Sequence, residues 1–314
     1  MSFDNIIKVG TRESQLALSQ TKEVELALKK TYPQIKFEIF PIVTSGDKIQ
    51  DRSLFNIGGK ALFIKEIEED LIKKRIDVAV HSAKDVPPLF SDLTSLVSFT
   101  RRQDPRDCLV SKKYNSIAQL PIGSTVGTSS PRRKAIILKI RPDLKIVDFR
   151  GNIATRLNKI EKNEVDASIL SCCGLNRINK NNHIKEFISI DRFLPAGGQG
   201  SLAIQIRKND TKIAEIMRHV NDDDTEICII AERSFLKELG ASCFTPVAVY
   251  GCINSQNQLN LRTILFDQDG SEIFELSFSC HADLQNAIEL GKMMAQKTKK
   301  DAHLLVERIC NNFS

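Results

Sequence analysis

The chain contains no tryptophan, and aromatic residues fill only 6% of its 314 positions. Single-stranded nucleic acid is gripped by aromatic faces interleaved with basic side chains, so this scarcity argues against such a partner despite a sequence pI near 8.8. No apolar run approaches the length needed to span a bilayer. The opening MSFDNIIKVGTRES lacks the charged-then-apolar order of a secretory signal. Eight cysteines occur (Cys108, Cys172, Cys173, Cys228, Cys243, Cys252, Cys280 and Cys310), with no CxxC spacing and too sparsely for a disulfide framework. Adjacent Cys172 and Cys173 read as buried thiols. The five histidines are scattered, so no zinc site can be assembled from spacing and no metal is expected. These absences leave a globular protein expected in the reducing cytoplasm, with no membrane or nucleic-acid partner. Its length allows two or three domains.

What the chain does have is a basic tract. Gly127–Lys159, GTSSPRRKAIILKIRPDLKIVDFRGNIATRLNK, holds nine Lys/Arg against Asp143 and Asp148, a net of +7 where the whole protein carries +6. Half of the eighteen arginines fall between Arg101 and Arg177. Lysine would serve solubility as well, whereas arginine offers a planar fork for carboxylate or phosphate. Thr128, Ser129 and Ser130 precede Pro131, which suits the first position of a helix. Free backbone N–H groups and the helix dipole make such a start an anion site. Lys145–Phe149 then reads as a strand, and Arg150-Gly151-Asn152 turns into a second helix carrying Arg156. Two helix starts and four arginines are therefore expected to converge on a ligand with several carboxylates or phosphates. The rival reading is a solvated basic surface.

Elsewhere strands and helices alternate. Ile6–Gly10 reads as a strand, and Ser14 caps a helix to about Lys30. Lys36–Val43 is a strand interrupted by Pro41, Ala61–Arg75 is helical, and Asp77–His81 is a short strand. Such alternation predicts mainly parallel sheets with helices on both faces, and ligands at the carboxyl ends of strands. Arg12, Lys84 and Asp85 lie just past such ends. A second α/β unit follows Asp104-Pro105, with strands at Cys108–Val110 and Ala167–Ser171. Leu202–Arg207 reads as a strand rejoining an earlier sheet. Asp222–Thr225 starts a helix to about Leu239. Thr245–Ile253, Gln258–Phe266 and Glu272–Ser279 then alternate like antiparallel strands, with Asp269-Gly270 as a hairpin turn. The tail from Asp283 is helical.

Gly198–Ala203, GQGSLA, matches a dinucleotide fingerprint, but a strand-like segment follows where a helix is required, so the match is read as accidental. Gly58-Gly59-Lys60 lacks the Ser/Thr and the upstream glycine of a phosphate loop. In HSAKDVPP, Asp85 sits beside Lys84 at a strand end, stiffened by Pro87 and Pro88. The bland alternative is a surface ion pair worth about 0–1 kcal/mol. His81 reads as a partly buried strand residue. On spacing alone Cys243 is no better a nucleophile than the other cysteines.

Together, GTRES (10–14), GGKALF (58–63), HSAKDVP (81–87), QDPRD (103–107), VGTSSPRR (126–133), FRGNIATRL (149–157), LPAGGQG (194–200), AERSFLKELGASC (231–243) and TPVA (245–248) resemble the porphobilinogen deaminase (hydroxymethylbilane synthase) family, in order and over nearly the whole chain. The resemblance implies an α/β fold of three domains. The first two are like a type-II periplasmic binding protein, with doubly wound mixed sheets around a cleft that holds the cofactor, and the third is a small α/β domain with a three-stranded antiparallel sheet. The implied boundaries are 1–102 plus 200–220, 103–199 and 221–314. The resemblance also implies a monomeric transferase of porphyrin biosynthesis that condenses four porphobilinogen molecules with loss of ammonia. A dipyrromethane cofactor would be held by a thioether to Cys243, and Asp85 would be catalytic. Binding roles would fall on Arg12, Ser14, Lys60, Phe63, Lys84, Thr128, Ser129, Ser130, Arg132, Arg133, Arg150, Arg156 and Arg177. Many members carry two glycines before the cofactor cysteine, where this chain has Ala241-Ser242. The competing class is a non-catalytic anion-binding module on the same two-domain frame, which gives Asp85 and Cys243 no role.

Overall fold

The computed structural model describes residues 5–48, 64–242 and 244–310. In chain order the elements are β1 (Ile6–Arg12), α1 (Gln15–Leu28), β2 (Lys36–Ile42), α2 (Ser45–Lys48), α3 (Lys65–Ile72), β3 (Val78–Ser82) and β4 (Thr94–Phe99). There follow β5 (Asp107–Ser111), β6 (Thr125–Gly127), α4 (Pro131–Ile140), β7 (Lys145–Val147), α5 (Ile153–Glu161), β8 (Ala167–Ser171), α6 (Cys172–Arg177) and β9 (Ile184–Phe187). The last third holds β10 (Leu202–Arg207), α7 (Thr211–Arg218), α8 (Asp223–Leu239), β11 (Val247–Ile253), β12 (Gln258–Phe266), β13 (Ile273–His281), α9 (Leu284–Asp301) and α10 (His303–Cys310).

The chain divides into two compact units, Met1–Arg102 with Gly200–Glu226, and Gln103–Gln199 with Ile227–Ser314. The first contains a five-stranded sheet in the order β2-β1-β3-β10-β4. Strands β1, β2 and β3 run parallel, while β10 is antiparallel to both its neighbours. Along β3, Val78 and Val80 join a cluster with Val24, Leu28 and Met217, whereas Ala79 faces Ile67, Leu71 and Ile76. Both faces are thus buried under helices, which is why the strand reads as an unbroken apolar run. Pro41 does not interrupt β2, since it stays in register opposite Thr11. β2 is the edge strand, where a residue lacking an N–H leaves no ladder bond unmade.

The second unit repeats the plan in the order β7-β6-β8-β5-β9, again with one antiparallel return strand, β5. The two sheets are therefore mixed and alike in order. Leu109 and Ile169 pack with Ala135, Ile136 and Ile137 of α4, while Cys108, Val110 and Leu170 pack with Leu157 and Ile160 of α5. The three-stranded antiparallel sheet β11-β12-β13 belongs to this unit, and its Ala248, Ile264 and Phe266 share the α4 cluster. Phe235, Leu261 and Met294 form a separate cluster that holds α8 and α9 on the sheet. After Gly198 and Gly200, both at positive φ, the chain enters strand β10 and not a helix, so GQGSLA is no dinucleotide loop. Among the described residues no helix is long and apolar enough to cross a membrane.

Candidate active site

In the first unit, parallel β1 and β3 deliver their carboxyl ends to one edge of the sheet. Arg12 is the last residue of β1, and the Ser14 hydroxyl accepts the Ala17 N–H at 3.2 Å to cap α1. Past β3, residues Ala83–Asp85 make a single 3₁₀ turn, anchored by the Ala83 N–H on the Ser201 carbonyl at 3.0 Å. Arg12, Ser14, Gln20, His81, Ser82 and Asp85 line one pocket at this edge. Asp85 and Lys84 are half-buried. Arg12 donates to both oxygens of Asp47, through Nε at 3.3 Å and through Nη2. Burial disfavours the Asp47 charge, but the hydrogen bonds from Arg12 and Thr44 outweigh it and hold the carboxyl below its ordinary value.

His81 is buried beneath this pocket, 3.0 Å from the Gln205 amide oxygen through Nε2. Gln205 donates its own amide to Glu68 at 2.7 Å and Thr94 at 2.9 Å, so its oxygen faces the ring and His81 carries its proton on Nε2. Burial pulls the His81 pKa down to about 4, against the opposing pull of Gln205 and Asp85, so the ring is neutral at pH 7. Between the unfolded value of 6.5 and that folded value of about 4, the unfolded chain binds more protons, so stability falls as pH falls through this window. Lowering the pH from 7 to 5 is expected to remove about 2 kcal/mol through His81. Urea unfolding of wild type and His81→Asn at both pH values checks this. Equal acid losses in the two proteins would exclude His81 as the source.

In the second unit, parallel β6 and β7 bring Gly127 opposite Val147, so the two loops that follow lie side by side. Gly127 has no room for a side chain, because a Cβ there would lie 2.5 Å from the Phe149 ring. Thr128 Oγ1 accepts the Ser130 N–H at 3.2 Å, and Ser130 Oγ accepts the Arg133 N–H at 3.4 Å, with Pro131 opening α4. Ser129 joins the loops: its hydroxyl donates to Asp148 and accepts the Phe149 N–H at 3.0 Å. Gly151, at φ +111°, turns the chain into α5, where Asn152 Oδ1 caps the Thr155 N–H at 2.9 Å. Both expected helix starts exist, and they are adjacent.

The arginines divide between them. Arg132 donates from Nη1 to the Leu194 carbonyl and from Nη2 to Asp107 Oδ2, both at 2.7 Å. Arg133 Nη2 reaches Asp107 Oδ1, also at 2.7 Å. Burial presses the Arg132 pKa downward, with Asp107 opposing. The Nε atoms of both arginines are buried without an acceptor among the described residues. Arg150 pairs with Asp148 at 2.9 Å, and Arg156 Nε donates to the Gly151 carbonyl at 2.8 Å, so these two stay at the α5 start. Arg177 ends α6, half-buried. Sequence reasoning gave no role to Asp107, which holds Arg132 and Arg133, to Asp47, which holds Arg12, or to Gln205, which holds His81.

Lys60, Phe63 and Cys243 lie outside the described residues. The flanks of position 243 are described: Gly240 ends α8 at φ +78°, and the Ala241 N–H reaches back to the Leu236 carbonyl at 2.9 Å. Ser242 donates its N–H to Thr245 Oγ1 at 2.9 Å and accepts the Phe244 N–H at 3.2 Å. Ala241 and Ser242 are thus each held by a hydrogen bond just past the helix end.

A family model described as porphobilinogen deaminase, dipyromethane cofactor binding domain, matches residues 7–215, and one for the porphobilinogen deaminase C-terminal domain matches 226–300. The porphobilinogen deaminase of Nitrobacter winogradskyi is 45% identical over 87% of this chain and 86% of its own length. That of Alkaliphilus metalliredigens is 40% identical over 94% of each. Among solved structures, a periplasmic substrate-binding protein of an ABC transporter from Coxiella burnetii covers 68% of this chain and 91% of its own at 12% identity, with a TM-score of 0.44. Two family models in tandem and relatives at these identities over most of their length leave one assignment: the chain belongs to the porphobilinogen deaminase family.

Proposed function

We infer that this chain condenses four porphobilinogen molecules head to tail, releasing ammonia at each addition, to give linear hydroxymethylbilane. The observation that carries the reading is the guanidinium pair whose buried Nε–H groups lack acceptors among the described residues. An unmet buried donor costs about 1–3 kcal/mol, which an anionic ligand would recover. Each porphobilinogen ring carries an acetate and a propionate, so a cofactor built from two such rings brings carboxylates to match. The residues present fit that group.

When bound, dipyrromethane supplies the pyrrole carbon from which the chain grows. The protein's part is to hold, orient and neutralise. Cys243 attaches the cofactor through a thioether. Arg132, Arg133, Arg150 and Arg156, with Thr128, Ser129 and Ser130, hold carboxylates at the two helix starts, and Arg177 adds a guanidinium from the end of α6. Arg12, Ser14 and Lys84 bind on the side of Asp85, and Lys60 and Phe63 are further binding residues. The Asp85 carboxylate accepts pyrrole N–H bonds and stabilises the cation left when porphobilinogen loses ammonia. A chain of three domains (1–102 with 200–220, 103–199 and 221–314) accords with the break between the two matched models at 215–226. One copy contributes every residue named, and the enzyme works as a monomer in the cytoplasm.

The test is intact mass after denaturation together with ammonia release from porphobilinogen. An adduct of two pyrrole units and steady ammonia release are expected. A bare chain that also releases no ammonia after incubation with porphobilinogen would leave the anion-binding module. Lysine replacements separate fork from charge. Arg150→Lys and Arg156→Lys are each expected to weaken binding by roughly 1.5–3 kcal/mol, about ten- to a hundredfold. Unchanged KM and adduct yield in both would remove these arginines from the site.

A further inference from the structure

Asp107 opens β5 and is fully buried. A carboxylate in that position has to be paired and hydrogen-bonded. Its oxygens take one arginine each, Arg132 on Oδ2 and Arg133 on Oδ1, both at 2.7 Å, and Gln199 Nε2 adds a third bond to Oδ1 at 3.1 Å. Gln199 is itself held by the Pro105 carbonyl at 2.7 Å. Arg132 is gripped from its other side by the Leu194 carbonyl, with the Phe193 ring centroid 5.6 Å from its Cζ. Two guanidiniums side by side would repel, and the carboxylate between them both permits the approach and fixes each fork at one end. The side-chain N–H groups that these bonds do not use, Nε on both and Nη1 on Arg133, take their direction from how Asp107 holds each fork.

We propose that Asp107 is a positioning residue: it makes no contact with ligand, and it aims the remaining N–H groups of Arg132 and Arg133 at the ligand's carboxylates. The inference rests on the reading of those two arginines as carboxylate binders. If Asp107 is merely a fold staple that cancels charge, any carboxylate the site accommodates will do. Asp107→Glu discriminates, because it keeps the charge and displaces both oxygens by a methylene.

Asp107→Glu and Asp107→Asn are compared with wild type by thermal unfolding, intact mass, and KM and kcat per adduct-bearing molecule. A folded Asp107→Glu protein is expected to show KM for porphobilinogen raised on the order of tenfold or more, with kcat changed only a few-fold. A folded variant that assembles no adduct counts the same way. Should Asp107→Glu fail to fold, folded Asp107→Asn carries the same readout. Wild-type KM and full adduct in a folded variant overturn the proposal, and so does failure of both variants to fold, which makes Asp107 a residue of the fold alone. Wild type lacking adduct and ammonia release removes the functional reading itself, and the two failures are therefore separable in one experiment.

Discussion

Asp85→Asn is expected to slow single-turnover ammonia release a hundred- to a thousandfold while leaving the fold intact. The carboxylate sits at the end of one 3₁₀ turn that β3 and the Ala83–Ser201 backbone bond hold in place, so no packing depends on its charge. Loss of ammonia from porphobilinogen leaves a cation conjugated with the pyrrole nitrogen. A negative charge already oriented toward that nitrogen lowers the barrier, and removing a preorganised group of this kind costs about 2.7–4 kcal/mol. Asparagine keeps the size and the acceptor oxygen but not the charge. Asp85→Glu restores charge at a displaced position and is expected to retain more activity than Asn. Were Asp85 only a surface partner of Lys84, both variants would turn over near normally. Rates within a few-fold of wild type for Asp85→Asn, on cofactor-loaded protein with an unchanged melting temperature, would take Asp85 out of the mechanism.

The parts of this site written in local chemistry were legible in the sequence. Ser130-Pro131 and Asn152 state their helix starts within four residues, and the structure puts both caps where that chemistry requires. The alternating segments after Thr245 became β11, β12 and β13 for the same reason. What failed to show is long-range. β6 is only three residues, Thr125–Gly127, too short for a periodicity, yet it aligns the two loops that carry the anion site. The expected mainly parallel sheets are there, but the single antiparallel strand in each five-stranded sheet, β10 and β5, is paired with strands far away in the chain. Asp107 had no role of its own within QDPRD, because its arginines are 25 and 26 positions away. Pro41 read as a break since nothing local marks β2 as an edge.

Cys243→Ser is expected to abolish the covalent pyrrole adduct, and with it turnover, while the other cysteines can be replaced without losing the adduct. A thioether needs a thiolate, and a serine hydroxyl does not substitute for it at neutral pH. Cys108, Cys172 and Cys228 are buried in apolar clusters, and Cys173 is buried as well. For Cys108 the hydrogen bond with Cys172 and burial push the thiol pKa upward, so Cys108 stays protonated and unreactive. Burial also raises the pKa of Cys280. Cys252 is the informative control, because it is exposed. If exposure alone selected the attachment point, Cys252→Ser would lose adduct and Cys243→Ser would keep it. The place of Cys243 in the AERSFLKELGASC stretch shared with the family favours the opposite result. On its flanks Gly240 closes α8 at positive φ, and the Ser242 N–H is held by Thr245 Oγ1. Intact mass after denaturation decides it for Cys243→Ser, Cys252→Ser, Cys172→Ser, Cys173→Ser and Cys310→Ser prepared alike. An adduct surviving denaturation in Cys243→Ser would end the assignment. Its loss in Cys252→Ser would move the attachment to the exposed end of strand β11, and the arginines' distances from the growing chain would then have to be measured from that end.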